Sequence, residues 1–278
     1  MTSGSDWSGA IGDVWAEEWQ RTDRCLAGLA VQLNAAVLDM AATGSATIVD
    51  IGCGAGSTSI AAATALPGRK VVGVDISPSL VAIATERAGG LGNLSFRCGP
   101  AEDRLADLAP VDLVVSRHGV MFFPDPVAAF SALRRATVPG AGFVFTCFRA
   151  PRFNPWATEL VSAAVGEMPP PPDGYVPGPF AFADPAFVRA MLNEAGWSRI
   201  AARPVDFAYR AGAGNDPVGD ALGLLQRIGP AAALLRQAPA GEHAAMLSRV
   251  EAVITRRRAG DAVDFPAAAW LWSAYNDR

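Results

Sequence analysis

Val49-Asp50-Ile51-Gly52-Cys53-Gly54-Ala55-Gly56 decides how this chain is read. An apolar run ends on an acid, three glycines follow at alternate positions, and a helical pattern begins at Ser57. Glycine reaches backbone conformations closed to other residues and lets a backbone approach a ligand closely. A glycine-rich turn from a strand into a helix therefore reads as a binding loop at the carboxyl edge of a sheet.

Working outward, strands and helices alternate. Ala46 to Ile51 reads as the first strand and Ser57 to Leu66 as a helix closed by Pro67-Gly68. Lys70 to Asp75, Asn93 to Cys98, Val111 to Ser116 and Gly142 to Phe148 read as the next four strands. Ser77-Pro78 and Pro124-Asp125-Pro126 open helices, the latter running through Thr137 to the stop at Pro139-Gly140. Near-continuous apolar strands separated by helices predict a doubly wound α/β fold, a mostly parallel sheet with both faces covered. Upstream, Trp15, Trp19, Leu26, Leu29, Leu33, Val37 and Leu38 recur at helical spacing from Val14 to Ala42, and Thr43-Gly44-Ser45 ends that stretch. Downstream, residues 149–183 are rich in Pro, Gly and aromatics and read as irregular. Asp184 to Ala195 returns to helix, a strand runs to about Phe207, residues 216–258 form a helical insert, and Phe265 to Tyr275 reads as a last strand.

The glycine spacing separates two ligands. Dinucleotide sites favour Gly-x-Gly-x-x-Gly, with a pyrophosphate on the helix N-terminus. Here the spacing is Gly52-x-Gly54-x-Gly56 behind Asp50, and an acid at that place suits a cationic ligand better than a pyrophosphate. Asp75 ends the second strand, where an acid can accept hydrogen bonds from both ribose hydroxyls. A nicotinamide-dependent oxidoreductase is the disfavoured reading.

Asp50 to Gly56 resembles motif I of the class I methyltransferases. Ser116-Arg117-His118-Gly119-Val120-Met121-Phe122-Phe123-Pro124-Asp125-Pro126 is similar to the segment after strand four in methyltransferases of ubiquinone and menaquinone biosynthesis, and Leu133-Arg134-Arg135 to Pro139-Gly140 to the helix and turn before strand five. The likeness is good over about residues 46–148. It implies a seven-stranded sheet of order 3-2-1-4-5-7-6 with strand seven antiparallel, and the cofactor S-adenosyl-L-methionine, released as S-adenosyl-L-homocysteine. It further implies an N-terminal helical lid over residues 1–44 and a Rossmann-like domain over 45–278, in which the segment 149–183 and an insert at about 216–260 shape an acceptor pocket. Carried over, the cofactor set is Asp50, Gly52, Cys53, Gly54, Gly56, Asp75, Ile76, Ala101, Glu102, Ser116 and Arg117. One position departs from the pattern: where many relatives have Gly-Asp-Ala after strand three, this chain has Gly99-Pro100-Ala101-Glu102-Asp103. Pro100 supplies neither an acid nor an N–H, so the Ala101 N–H with Glu102 or Asp103 is left to meet adenine.

Methyl transfer from a sulfonium needs alignment and water exclusion, and a base only if the acceptor must lose a proton. His118, one of two histidines, follows strand four and is the base candidate; the alternative is a ring that merely packs beside the cofactor. His243 lies in the helical insert and reads as surface or packing. Arg21, on the N-terminal helix with Trp15, Trp19 and Gln20, is a candidate partner for the cofactor carboxylate. Phe122, Asn154, Trp156 and Tyr175, with Phe180 and Phe182, are candidates for holding an apolar or planar acceptor.

Bulk properties narrow the partners. Of 278 residues, 51% are hydrophobic, enough for one large domain with a sizeable core, and the net charge of −4 disfavours a polyanion. The basic run Arg256-Arg257-Arg258 sits at a helix end, where cations suit the dipole. The cysteines Cys25, Cys53, Cys98 and Cys147 show no metal-site or disulfide spacing, which together with the lack of a leader-like N-terminus or an apolar run of membrane-spanning length predicts a reduced, cytoplasmic protein without metal. The expected acceptor is a small molecule, secondary metabolism included, with no nucleic acid or membrane partner and a monomer or homodimer state. The alternatives are a peptide methyltransferase acting on a carboxylate or side chain, and a non-catalytic S-adenosylmethionine-binding protein.

Overall fold

The computed structural model describes residues 4–41, 46–167, 170, 172–239 and 241–277. Five parallel strands carry the sheet: β1 (Thr47–Ile51), β2 (Lys70–Asp75), β3 (Leu94–Cys98), β4 (Val111–Arg117) and β5 (Thr137–Phe148). The long strands β6 (Ser198–Ala213) and β7 (Ala262–Tyr275) complete it, β7 running antiparallel between β5 and β6. The order is thus 3-2-1-4-5-7-6, as expected, with a two-residue strand, Arg258–Ala259, hooked onto the start of β7.

Alternation decides how each strand meets its helices. Along β5 the space above Gly142 is filled by Met40 of α4 (Ala27–Ala41), whereas the next residue, Phe143, lies 5.4 Å from Phe130 of α8 (Pro126–Ala136). Successive residues therefore serve opposite helical layers. α4 turns Leu29, Leu33, Val37 and Ala41 inward, one residue per turn. On the other face Phe130, Phe143, Phe145, Phe182 and Trp272 interlock, all fully buried. Each such ring contributes roughly 1.5–3 kcal/mol of apolar burial.

The binding edge is assembled by helices that start from short loops. α5 (Ser57–Ala65) follows the glycine loop, α6 (Pro78–Arg87) starts on Ser77, whose hydroxyl accepts the Leu80 N–H, and α7 (Ala101–Leu108) starts behind Pro100.

Four expectations change. The helical pattern of residues 14–42 is broken: α1 (Gly4–Trp7), α2 (Ala10–Glu17) and α3 (Trp19–Cys25) precede α4, and α3 meets α4 at 75°. The break at Glu18 has a cause, because its buried carboxylate turns inward to ion pairs with Arg21 and Arg227. The proposed stop at Thr43-Gly44-Ser45 and the boundary at 44/45 lie outside the described residues. Pro139-Gly140 does not precede β5 but sits within it, at a register shift against β4, so β5 starts at Thr137. The supposedly irregular segment contains a full helix, α9 (Pro155–Val165), opened by Pro155 at its first turn. Finally, β6 and β7 outrun β5: their pairing from Asp206↔Ala268 to Ala213↔Ala262 projects past its last residue, Phe148, as a two-stranded ribbon. α10 (Pro185–Glu194) leads into β6, and α11 (Pro217–Leu225), α12 (Pro230–Gln237) and α13 (His243–Arg256) fill the connection to β7. No single helix among the described residues is long and apolar enough to cross a membrane.

Candidate active site

A cavity of about 410 Å³ opens at the carboxyl edge of β1, β2 and β4. Its floor is the glycine loop. Gly52 has φ +65°, and a Cβ there would lie 2.9 Å from the Gly119 Cα, so the loops after β1 and β4 touch backbone to backbone. Gly56, with φ +83°, caps α5 against Phe96 and Ala84. Only glycine meets both demands at low cost.

Two carboxylates hold this floor. Asp75 accepts the Gly54 N–H at 2.8 Å with one oxygen and the Ser77 N–H at 2.9 Å with the other. Asp50 accepts the Ser59 hydroxyl at 2.6 Å, while its second oxygen is buried without a partner. Burial pushes the Asp50 carboxyl up to about 6, opposed by the Ser59 bond and the positive charge of Arg117. Burial also raises Asp75.

The segment after β4 forms a second wall. The Ser116 hydroxyl donates to the Ile51 carbonyl at 2.7 Å and accepts the Gly119 N–H, tying β4 to the glycine loop. His118 adopts φ +63°, a conformation rare outside glycine and concentrated at functional positions. Its Nδ1 lies 2.8 Å from the Thr146 hydroxyl of β5, its Nε2 has no partner, and its ring stands edge-on to Phe148 at 4.1 Å. Burial, with Arg117 adding to it, lowers His118 to about 3, so the imidazole is neutral at physiological pH.

The N-terminal helices close the cavity from the outside. Gly12 of α2 packs on the Trp7 carbonyl and on Ser77, with no room for a Cβ, and the Ser79 hydroxyl donates to Asp13. From α3, Asp23 accepts Arg117 at 2.7 Å and Arg87 at 2.8 Å, one oxygen to each. Arg87 also caps the Ala55 carbonyl and lies 3.8 Å over the Trp19 ring. Trp7, Trp15, Trp19, Thr22, Cys25 and Leu26 line the cavity from this side.

Of the residues singled out from the sequence, Asp50, Gly52, Cys53, Gly54, Asp75, Ile76, Ala101, Glu102, Arg117, His118, Phe122 and Trp156 line this one cavity. Glu102, rather than Asp103, is the acid beside Pro100 that faces it. Others stand outside its lining, Phe180 and Phe182 among them. Arg21 is held by Glu18 and Asp220, at 2.9 and 2.7 Å, and the lining arginine is Arg117 instead. Gly56 and Ser116 shape the loops from behind. Asn154 is fully buried and locks α9 to β7, donating to the Ala268 carbonyl and accepting the Ala268 N–H and the Trp156 indole N–H. Tyr175 donates to the Phe123 carbonyl and stacks on Phe187. Residues the sequence reading missed include Trp7, Asp23 and Tyr209; Tyr209 stacks on Trp156 at 4.8 Å from the projecting ribbon.

Comparison with known proteins agrees with this geometry. Residues 42–168 match a family model described as a methyltransferase domain. Trans-aconitate 2-methyltransferase of Streptomyces avermitilis is 31% identical over 103 residues, 36% of this chain and 38% of that protein. The ubiquinone biosynthesis O-methyltransferase of Xylella fastidiosa is 33% identical over 99 residues, 34% of this chain and 39% of that protein. The matches thus span about two fifths of these curated relatives. Among solved structures, a methyltransferase-like protein of Bacillus halodurans superposes with TM-score 0.55 at 17% identity, covering 88% of this chain and 99% of the other. Phosphoethanolamine N-methyltransferase 2 of Haemonchus contortus, solved with S-adenosylhomocysteine, gives 0.54 at 16% identity, covering 100% and 61%.

The donor set also fits the family's cofactor. The unpartnered Asp50 oxygen is a buried acceptor awaiting a donor, Asp75 keeps accepting capacity beyond its bonds to the loop backbone, and the cradle admits no Cβ at Gly52. By its motif, its sheet order and its matched domain, the chain carries over residues 42–168 a methyltransferase domain similar to those of the class I S-adenosylmethionine-dependent methyltransferases.

Proposed function

We propose that this protein transfers a methyl group from S-adenosylmethionine to a small-molecule acceptor bound in the same cavity. The observation that carries this reading is the buried, unpartnered oxygen of Asp50 beside a glycine cradle. A buried acceptor left unmatched costs about 1–3 kcal/mol, and a donor on the ligand would offset that cost.

The bound cofactor would supply a methyl group already activated on a sulfonium. The chain's residues take the remaining roles. Asp50 faces the cationic amino end, and Asp75, while bracing Gly54, accepts ribose hydroxyls. Ile76, the Ala101 N–H and Glu102 border the adenine side in place of the acid that Pro100 replaces. Helices α1–α3 act as a lid that excludes water, held by Gly12 on Ser77 and by Asp23 on Arg87 and Arg117. His118 borders the acceptor and either receives a proton from it or hydrogen-bonds to it. The aromatic and apolar lining away from the glycine loop supports a small molecule over a peptide.

The test is release of S-adenosylhomocysteine on incubation with S-adenosylmethionine and a panel of small acceptors. Acceptor-dependent release supports the proposal. Tight binding of the cofactor with no release on any member, and release on peptides alone, would each refute it.

A further inference from the structure

The cavity is divided by charge. Its charged lining residues, Asp23, Asp50, Asp75, Glu102 and Arg117, all sit around the glycine loop, the ends of β2 and β4, the start of α7 and the inner side of α3. Beyond His118, no Asp, Glu, Lys or Arg side chain contributes to the lining among the described residues.

What lines that part instead is aromatic. His118 abuts Phe148, Phe148 lies 5.0 Å from Trp156, and Trp156 stacks nearly parallel on Tyr209, at 8°. These rings come from the turn after β4 and from β5, α9 and β6, so four parts of the chain converge on one continuous wall. Trp156 is fixed by its indole N–H on Asn154, itself locked into the backbone of β7. A second aromatic pair, Trp7 and Phe122 at 4.9 Å, also lines the cavity. Rings of this kind take flat apolar ligands by stacking and edge contact.

Two polar atoms in this lining lack partners: His118 Nε2 and Trp7 Nε1–H. A buried charge without a counter-charge is costly, and Arg117, the arginine of the lining among the described residues, already binds Asp23. A carboxylate, phosphate or ammonium on the acceptor would find no partner there. A neutral hydroxyl, which both donates and accepts, can serve atoms of either kind.

Resting on the methyltransferase reading above, we infer that the acceptor is an uncharged, flat aromatic alcohol whose ring lies on the Phe148–Trp156–Tyr209 wall and whose hydroxyl hydrogen-bonds to His118. In the step this implies, the phenolic oxygen forms a bond to the methyl carbon as the sulfur–carbon bond breaks, with that electron pair staying on sulfur. The phenolic O–H donates a hydrogen bond to His118 Nε2, which carries its lone pair when Nδ1–H donates to Thr146. The methylated oxygen gives up its proton to solvent water as the products depart, so the positive charge that enters on sulfur leaves with that proton and the imidazole stays neutral.

The test uses the full-length protein saturated with S-adenosylhomocysteine, titrated with naphthol, naphthoic acid and naphthylmethylamine. These share one ring system and differ in charge. Naphthol should bind at least about tenfold more tightly than either ion, because only the ions must bury an unpaired charge. His118→Gln should narrow that preference, and Trp156→Leu should weaken all ring binding while leaving S-adenosylhomocysteine affinity unchanged. Equal binding of the three, preference for an ion, or no binding of any overturns the acceptor class and leaves the cofactor reading standing. Failure of the protein to bind S-adenosylhomocysteine overturns both.

Discussion

Asp23 reaches from α3 to Arg117 at the end of β4, 2.7 Å oxygen to nitrogen, and with its other oxygen to Arg87 on α6. One carboxylate thus ties an N-terminal helix to two elements of the sheet domain. All three side chains are mostly buried, so this bridge is less screened than a surface ion pair.

Removing it should loosen those helices selectively. In Asp23→Asn, amide exchange over residues 4–25 should accelerate by about tenfold or more, while β1, β2 and β4 stay protected. Hydrogen exchange with peptide resolution checks this. Unchanged exchange over 4–25 would show that apolar packing alone seats the helices.

Gly12 offers an independent probe of the same closure. A Cβ there would sit 2.2 Å from the Trp7 carbonyl and 2.4 Å from the Ser77 hydroxyl. Gly12→Ala should therefore lower S-adenosylhomocysteine affinity by roughly tenfold by displacing α2, costing about 1–3 kcal/mol of overpacking. Because Ala is the better helix former, an unaltered affinity with a raised melting temperature would contradict the close approach.

Asp50 sets a pH dependence whose sign follows from its burial. Burial holds the folded carboxyl up at about 6, above its ordinary value of 3.8. The folded apoprotein holds that proton more tightly than the unfolded chain, so this stabilisation is complete below 3.8 and is lost as pH rises through 6. Asp50→Asn should accordingly stabilise the apoprotein at pH 8, by up to about 3 kcal/mol. The ligand amino group needs the ionised form, so wild-type cofactor affinity should fall as pH drops below 6, and Asp50→Asn should flatten that slope. Arg117, Asp75 and Ser59 act on the same carboxylate, which is why the variant is the control.

His118 and Thr146 make a fourth test. His118→Gln should reduce turnover about a hundredfold if the ring takes a proton, with cofactor affinity unchanged. Thr146→Val acts only through the ring, by removing the partner of Nδ1. It should lower kcat and change the pH profile while leaving KM for the acceptor near the wild-type value. A Thr146 variant that loses stability but keeps its pH profile would assign the threonine a purely structural role.

The sequence made the sheet legible because β1, β2 and β4 are short, mainly apolar runs punctuated by Gly, Pro or Ser, with the mixed Leu94–Cys98 strand placed by the rhythm around it. The order of strands came from the resemblance rather than from periodicity. α9 was missed although Trp156, Leu160, Val161 and Ala164 carry helical spacing, because the prolines and aromatics around it dominate the composition. The break at Glu18 was invisible for a different reason: it depends on Arg227, far along the chain. In the site, backbone-coded positions such as Gly52 and Gly54 were readable, since the turn itself demands glycine. Long-range pairings were not. Arg21 looked free in sequence and is consumed by Asp220, and Asn154 looked like a ligand contact and is a strand lock. Tyr209 reaches the cavity only because the β6–β7 ribbon outruns β5.

If the cradle from Asp50 to Gly56 with Asp75 holds S-adenosylmethionine, titration calorimetry of the protein with S-adenosylmethionine, S-adenosylhomocysteine and NAD should show saturable binding of the first two at one site and none of NAD. Asp50→Asn should lose at least about tenfold in affinity. Binding of NAD in preference to both, or S-adenosylmethionine affinity indifferent to Asp50, would contradict that reading.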